Sequence, residues 1–277
     1  MDHLRSLLES IPIPAARTTP DRDEREALLS TGGLVHELGA DLPAGHVHVW
    51  GGPSGSGKTS LLLALLQSAA RRGRTVVYVT YDLAPPSLAL RMLAMLAGVP
   101  VQGLPDPGGE ADAHALSDDE LQRLGRVKAA LMALPFYVLP ARGLSVASIA
   151  DRLVRTPDRP EVIVVDYVQA VVREPGQPLG AALQEFSDLA VHLHLGVLCV
   201  FRPTEAPGAR AEDRLRDPAT ADGVHAVADR VGWIAPEGDE GLRRAEIVTN
   251  RYGATPSVPL RFDPATGTLR RSRPTEA

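Results

Sequence analysis

At 277 residues, 44% apolar and 23% charged, the chain has a globular composition and room for one large α/β domain or two small ones. A formal net charge of −5 excludes a global basic field, so any nucleic-acid contact has to rest on a local patch. A single cysteine, Cys199, excludes a disulfide within the chain, and the lack of a signal peptide or of an apolar run of about 18 residues predicts a cytoplasmic protein without a membrane span.

Residues 1–30 read as an N-terminal arm, either a flexible leader or a piece that packs on a neighbouring subunit, and residues 31–277 as one domain. Within the arm Leu4, Leu7, Leu8 and Ile11 mark a short amphipathic helix that Pro12 and Pro14 end. Strands follow at 46–50, 75–80, 136–139, 161–165 and 197–201, each short, apolar and β-branched as strands covered on both faces are. Cys199 falls inside the last of these and reads as a buried strand thiol. Helical patterns at 58–72, 86–97, 117–133, 145–155 and 180–194 separate them, and Ser117 with Glu120 makes a capping box. This alternation predicts an α/β fold with a mostly parallel sheet between two helical layers. Beyond residue 230, strands at 231–235, 244–249 and 258–262 with a turn at Tyr252-Gly253 read as an antiparallel extension carrying a hairpin. Segments 100–116 and 202–222 read as loops, and there is no internal repeat.

The stretch Gly51 to Ser60, GGPSGSGKTS, carries the first chemistry. Gly52, Gly57, Lys58 and Thr59 match G-x-x-x-x-G-K-[ST] between a strand and a helix, the context a phosphate-binding P-loop requires. Glycines let backbone N–H groups turn inward onto phosphate oxygens, helped by the positive end of the following helix. The cradle spans Gly52, Pro53, Ser54, Gly55, Ser56, Gly57, Lys58, Thr59 and Ser60; Lys58 reaches the β- and γ-phosphates and the Thr59 hydroxyl completes a Mg²⁺ shell. Val162 to Val165 form an apolar strand ending in Asp166, a Walker B pattern that holds Mg²⁺ through water. Asp82, after the strand TVVYVTY, is the candidate for positioning the attacking water, with a helix N-cap before Pro85 as its bland alternative. The pairs His46/His48 and His192/His194 lack a third ligand and read as packing or surface residues.

Taken together these residues resemble the RecA-like ATPase domain of DnaB-type replicative helicases over roughly residues 31–269. Thr31-Gly32-Gly33, Glu37-Leu38 and Leu42 to Gly45 are similar to the family's lead-in to the P-loop, and Thr80 to Leu83 with Leu88 to Arg91 to its S-L-E-M…L-A-x-R segment. Val165-Asp166-Tyr167-Val168-Gln169 resembles I-D-Y-L-Q, and Asp188-Leu189-Ala190 its L-K-x-L-A helix. Ala228 to Val231 is similar to A-D-V-V, and Asn250 to Gly253 to the K-x-R-N-G hairpin. The resemblance implies a three-layer P-loop NTPase core that binds ATP and Mg²⁺, with Asp82 at the catalytic glutamate. It makes Arg251 a finger on the γ-phosphate of the neighbouring subunit, hence a homo-oligomer, a hexameric ring or filament. Three positions depart from the pattern: Asp82 is one methylene short, Thr249 replaces a lysine two residues before the finger, and Phe201-Arg202 stand where the family carries S-Q, whose glutamine senses the γ-phosphate. Arg202 reads either as a phosphate or DNA contact or as a plain surface arginine. The first 30 residues have no room for the family's large N-terminal domain, which implies a stand-alone relative.

Segments 172–180 and 202–217 correspond to the family's DNA-gripping loops. In the second, Arg202, Arg210, Arg214 and Arg216 are balanced by Glu205, Glu212, Asp213 and Asp217, and no aromatics interleave, so single-stranded DNA binding gains little support from charge. Arg270, Arg271 and Arg273 form a small basic tail cluster that reads as a solvated end. The function expected is a DnaB-type, DNA-dependent ATPase in replication, recombination or repair, with slow turnover an expected consequence of the departures. A non-unwinding ATPase switch or accessory factor, and a nucleotide-binding assembly protein with little hydrolysis, are the alternatives. Intact Lys58, Thr59, Asp166 and Arg251 speak against the last.

Overall fold

The structure is a computed structural model and describes residues 1–16, 20–30, 34, 38, 41–104, 116–171, 177–202, 223–238 and 240–272. The lead-in Thr31-Gly32-Gly33 with Glu37, most of 100–116, and residues 172–176 and 203–217 of the two presumed DNA loops lie outside the described residues.

β-Branched runs make the strands and leucine-rich runs the helices, as their periods dictate. In chain order the strands are β1 (Asp2–His3), β2 (Val47–Gly51), β3 (Val76–Thr80), β4 (Phe136–Pro140), β5 (Val162–Asp166), β6 (Gly196–Phe201), β7 (Arg230–Pro236), β8 (Leu242–Asn250), β9 (Ser257–Asp263) and β10 (Thr268–Arg271). The helices are α1 (Leu4–Glu9), α2 (Arg22–Leu28), α3 (Lys58–Arg71), α4 (Pro85–Ala97), α5 (Asp118–Leu131), α6 (Val146–Val154), α7 (Leu179–Leu193) and α8 (Val224–Val227). The strands form one sheet in the order β1-β4-β3-β5-β6-β2-β7-β8-β9-β10. From β4 to β7 every pairing is parallel, whereas β1 and β8 to β10 pair antiparallel.

Alternation along each strand splits the core in two. Val76, Tyr78, Val162, Val164, Leu198 and Val200 face α1, α3, α4 and α5. Val77, Val79, Ile163, Val165, Val197 and Cys199 face α6 and α7. Cys199 is buried and free, and burial pushes its thiol pKa far up, so it behaves as a small apolar residue. The α5 capping box forms as expected from Ser117 and Glu120. Among the described residues no helix is long and apolar enough to cross a membrane.

Two expectations are corrected. The strand at 231–235 is not part of the antiparallel extension: β7 pairs parallel with β2, Val49 against Val231, and the antiparallel run begins one strand later. Over residues 1–14 the N-terminal arm is not free but packs on its own chain. β1 pairs with β4 at the sheet edge, Leu4, Leu8 and Ile11 are buried in the core, and Lys128 Nζ donates to the Ile11 carbonyl at 2.8 Å. The arm crosses α5 so closely that a Cβ on Gly125 would lie 2.8 Å from the Pro14 carbonyl oxygen.

Candidate functional site

Parallel strands deliver their C-terminal ends to one edge of the sheet, and the edge over β3, β5, β6 and β2 gathers most of the predicted site. The loop after β2 is shaped by its glycines. Gly55 and Gly57 adopt φ of 72° and 94°, which side chains disfavour, and Gly57 is the N-cap of α3. A Cβ on Gly52 would lie 2.2 Å from the Ile234 carbonyl oxygen on β7, so the loop can pass there only without a side chain. Ser54 and Gly55 form the exposed crest, while the Ser56 hydroxyl is buried and makes no hydrogen bond. Thr59 and Ser60 follow in the first turn of α3, whose N–H groups have no intrahelical acceptor.

Lys58, the first residue of α3, turns back into the loop and donates from Nζ to the carbonyls of Gly52 at 2.7 Å and Pro53 at 2.6 Å. Its pKa falls to about 8, chiefly through burial and then through repulsion by Arg202, against attraction by Asp166. Asp166 ends β5 directly opposite Thr80 on β3 and is buried. Its Oδ2 accepts the Tyr78 hydroxyl at 2.5 Å. Burial raises the Asp166 pKa, opposed by the Tyr78 hydrogen bond and by the charges of Arg202 and Lys58. The Asp166–Tyr167 peptide is cis.

Asp82 lies on this edge but does not cap a helix. Ala84 occupies the N-cap of α4 without a side-chain bond, and the Thr80 hydroxyl takes the local turn by accepting the Leu83 N–H at 3.0 Å. The Asp82 carboxylate instead pairs with Arg202, Nη2 to Oδ2 at 3.0 Å, with both side chains about half exposed. Arg202 follows β6 and lies over the Tyr167 ring, its Cζ 4.2 Å from the centroid. Gln169 clamps the Arg202 backbone from both sides, donating from Nε2 to its carbonyl at 2.5 Å and accepting its N–H at Oε1 at 3.2 Å. In the sequence Gln169 stands out only as part of the Val165–Gln169 signature, and its grip on Arg202 carries no sequence signal.

Arg251 is not brought to this edge. β8 runs against β7 with Asn250 opposite Arg230 and Arg243 opposite Pro236, so Arg251 follows the strand end farthest from the P-loop. Six strand steps separate those two register points, roughly 20 Å. There Arg251 Nη2 donates to the Ala226 carbonyl at 2.6 Å, and its guanidinium lies 3.9 Å from Asp229. Asp229 also accepts the Val47 N–H at 2.8 Å and the Tyr252 hydroxyl at 3.3 Å. The Thr249 hydroxyl meets His225 Nδ1 at 3.1 Å beneath the same turn. His46 packs its ring on Tyr252, and His48 is buried with its pKa pushed down to about 3 by burial and then by Arg230, which keeps it neutral.

A cavity of about 230 Å³ opens beside the start of α3, bounded by Thr59, Ser60, Arg91, Met95, Phe262 and Thr266. Phe262, on β9, closes over the loop: a Cβ on Gly57 would lie 3.3 Å from its ring. Sequence reading did not find this cavity, because β9 reaches the P-loop only through the hairpin order of the sheet.

Solved structures share this fold. One structure, described as an ATPase domain, superposes with a TM-score of 0.76 at 12% identity, covering 94% of this chain and 93% of that one. A DnaB-like replicative helicase, described with its interactions with primase, gives the same TM-score and identity over 94% of this chain and 63% of that one. The RadB recombinase superposes at 0.53 with 19% identity, covering 88% of this chain and all of that one. A comparison with curated protein sequences found no match. The model of the DnaB-like helicase C terminal domain matches residues 37–270, so the chain, P-loop, Asp166 edge and terminal hairpin included, belongs to that family.

Proposed function

We propose that the protein binds and hydrolyses Mg²⁺-ATP as a DnaB-like ATPase acting on single-stranded DNA. The observation that carries this reading is the meeting of Lys58, Thr59 and Asp166 at one sheet edge around a loop that glycine alone permits at Gly52 and Gly57. Phosphates bound in the loop would take over the Lys58 ammonium from the Gly52 and Pro53 carbonyls, and the nucleoside would extend toward the cavity under Phe262. The donors fit Mg²⁺: the Thr59 hydroxyl and the Asp166 carboxylate are hard oxygens, and Tyr78 engages only Oδ2 of Asp166. Bound Mg²⁺ would neutralise charge on the β- and γ-phosphates.

Hydrolysis in this reading is an in-line attack of water on the γ-phosphorus. The new P–O bond forms as the bond to the β-phosphate oxygen breaks, and Asp82 takes the proton that water gives up. Arg251 bonds opposite Asp229 while the P-loop begins opposite Trp233, four strand steps or roughly 13 Å away along the sheet, so a finger role needs a second copy of the chain, which supports a ring or filament. ATP turnover with and without single-stranded DNA, for wild type and Lys58→Ala, tests the proposal. Turnover that survives Lys58→Ala, or that DNA leaves unchanged, overturns it. A second reading, an ATPase switch that does not unwind, is favoured by the ion pair that occupies Asp82; a strand-displacement assay separates the two.

A further inference from the structure

The strand order β3-β5-β6-β2 sets four chain ends side by side: Asp82 beyond β3, Asp166 at the end of β5, Arg202 after β6 and the P-loop after β2. Phe201 pairs with Gly51, so the Arg202 backbone sits beside the entrance of the P-loop. Its side chain turns away from that loop, crosses Tyr167 and ends on Asp82. Gln169 fixes the Arg202 backbone, which leaves the side chain as the part that can swing. The same guanidinium is close enough to act electrostatically on both Lys58 and Asp166.

We propose that Arg202 is a two-position latch that holds Asp82 when no γ-phosphate is present and transfers to the γ-phosphate of a bound nucleoside triphosphate, freeing Asp82 to receive the proton of water. The inference rests on the P-loop reading above. Its logic is a competition. An ion pair with both side chains about half exposed shifts an equilibrium only a few-fold. A terminal phosphate offers more charge and three acceptor oxygens that suit the forked guanidinium. Asp82 with its Oδ2 bonded to Arg202 has one oxygen engaged by a cation and only Oδ1 left for water; once Arg202 leaves, both are open at the edge beside Asp166. A diphosphate, lacking the third phosphate, leaves the latch shut.

Calorimetric binding of ADP and of a non-hydrolysable triphosphate, AMP-PNP, to the full chain with Mg²⁺ tests this. Asp82→Asn removes the competing charge and should tighten AMP-PNP about threefold while leaving ADP unchanged. Arg202→Ala should weaken AMP-PNP about tenfold, again without affecting ADP. In the Arg202→Ala background the gain from Asp82→Asn should vanish. Retained ADP binding shows that each variant is folded. Equal effects on the two nucleotides, or an Asp82→Asn gain that persists without Arg202, overturn the latch while leaving the P-loop reading in place. Absence of any Lys58-dependent binding to wild type overturns both.

Discussion

Lys58 is the group through which pH should reach nucleotide binding. Its ammonium is buried at the loop mouth, and its pKa of about 8 comes first from that burial, then from Arg202, with Asp166 opposing both. Phosphates placed beside it add negative charge and raise the pKa in the complex. Above pH 8 the free site therefore carries fewer protons than the complex, binding takes up a proton, and affinity falls as pH rises. Between pH 7 and 9 the charged fraction of the free site drops from about nine-tenths to about one-tenth, so Kd should rise about tenfold, or ~1.4 kcal/mol. A terminal phosphate loses its last proton near pH 6 and adds nothing to this rise. Fluorescent-nucleotide titration across the range gives the slope. Calorimetry at pH 8.5 in buffers of different ionisation enthalpy should show uptake of about three-quarters of a proton. Lys58→Arg stays charged and should bind with a flat profile. A flat profile in wild type, with Lys58→Ala abolishing binding, would refute the claim that burial in the loop discharges this lysine.

Three further outcomes follow from packing and register. Gly232→Ala places a Cβ 2.6 Å from the Trp50 ring, so overpacking of about 1–3 kcal/mol should lower Tm by roughly 2–10 °C, with partial recovery on adding Trp50→Phe; calorimetry showing an unchanged Tm would remove Trp50 from that contact. Leu8→Ala should cost about 2–5 kcal/mol because the side chain is fully buried in the arm, and wild-type stability would mean that the arm is detached in solution. Arg251→Ala should lose about a thousandfold in ATP turnover, yet regain activity when mixed with Lys58→Ala chains, whose intact finger can serve its intact P-loop. Wild-type turnover in the single variant, or no rescue on mixing, would end the finger assignment.

What the sequence made legible was whatever is encoded locally. The P-loop glycines with Lys58, and the run Val162–Asp166, announce themselves because a turn or a strand end is a property of consecutive residues. The parallel body was equally open, since strands buried on both faces read as apolar runs. Contacts set by strand order were closed to this reading. Asp82 and Arg202 lie 120 positions apart and meet only because β5 alone separates β3 from β6. β7 was assigned to the antiparallel extension because a strand after a long loop carries no sign of which neighbour it will choose, and it joins β2. The arm misled for a different reason. Its prolines and charges resemble those of a loose terminus, while its anchor is an absence, the missing side chain at Gly125.

Counted along the sequence, Asp82, Arg202 and Thr249 are three separate departures from the family pattern. In space they are two arrangements, each holding an arginine. At the P-loop edge, a cation at position 202 in place of a neutral amide needs an anion, and the carboxylate it finds is the one that would position water. At the opposite end, Thr249 bonds the His225 ring, and the neighbouring Ala226 carbonyl grips Arg251. Binding of a diphosphate asks neither arginine to move, because Lys58 and the loop glycines are already in place. In the proposed reading hydrolysis asks both to move, Arg202 off Asp82 and Arg251 off Ala226 into another copy's site. Tight nucleotide binding with slow turnover is therefore the behaviour expected of this chain, and the rate should respond to whatever releases the two arginines more than to changes in the loop itself.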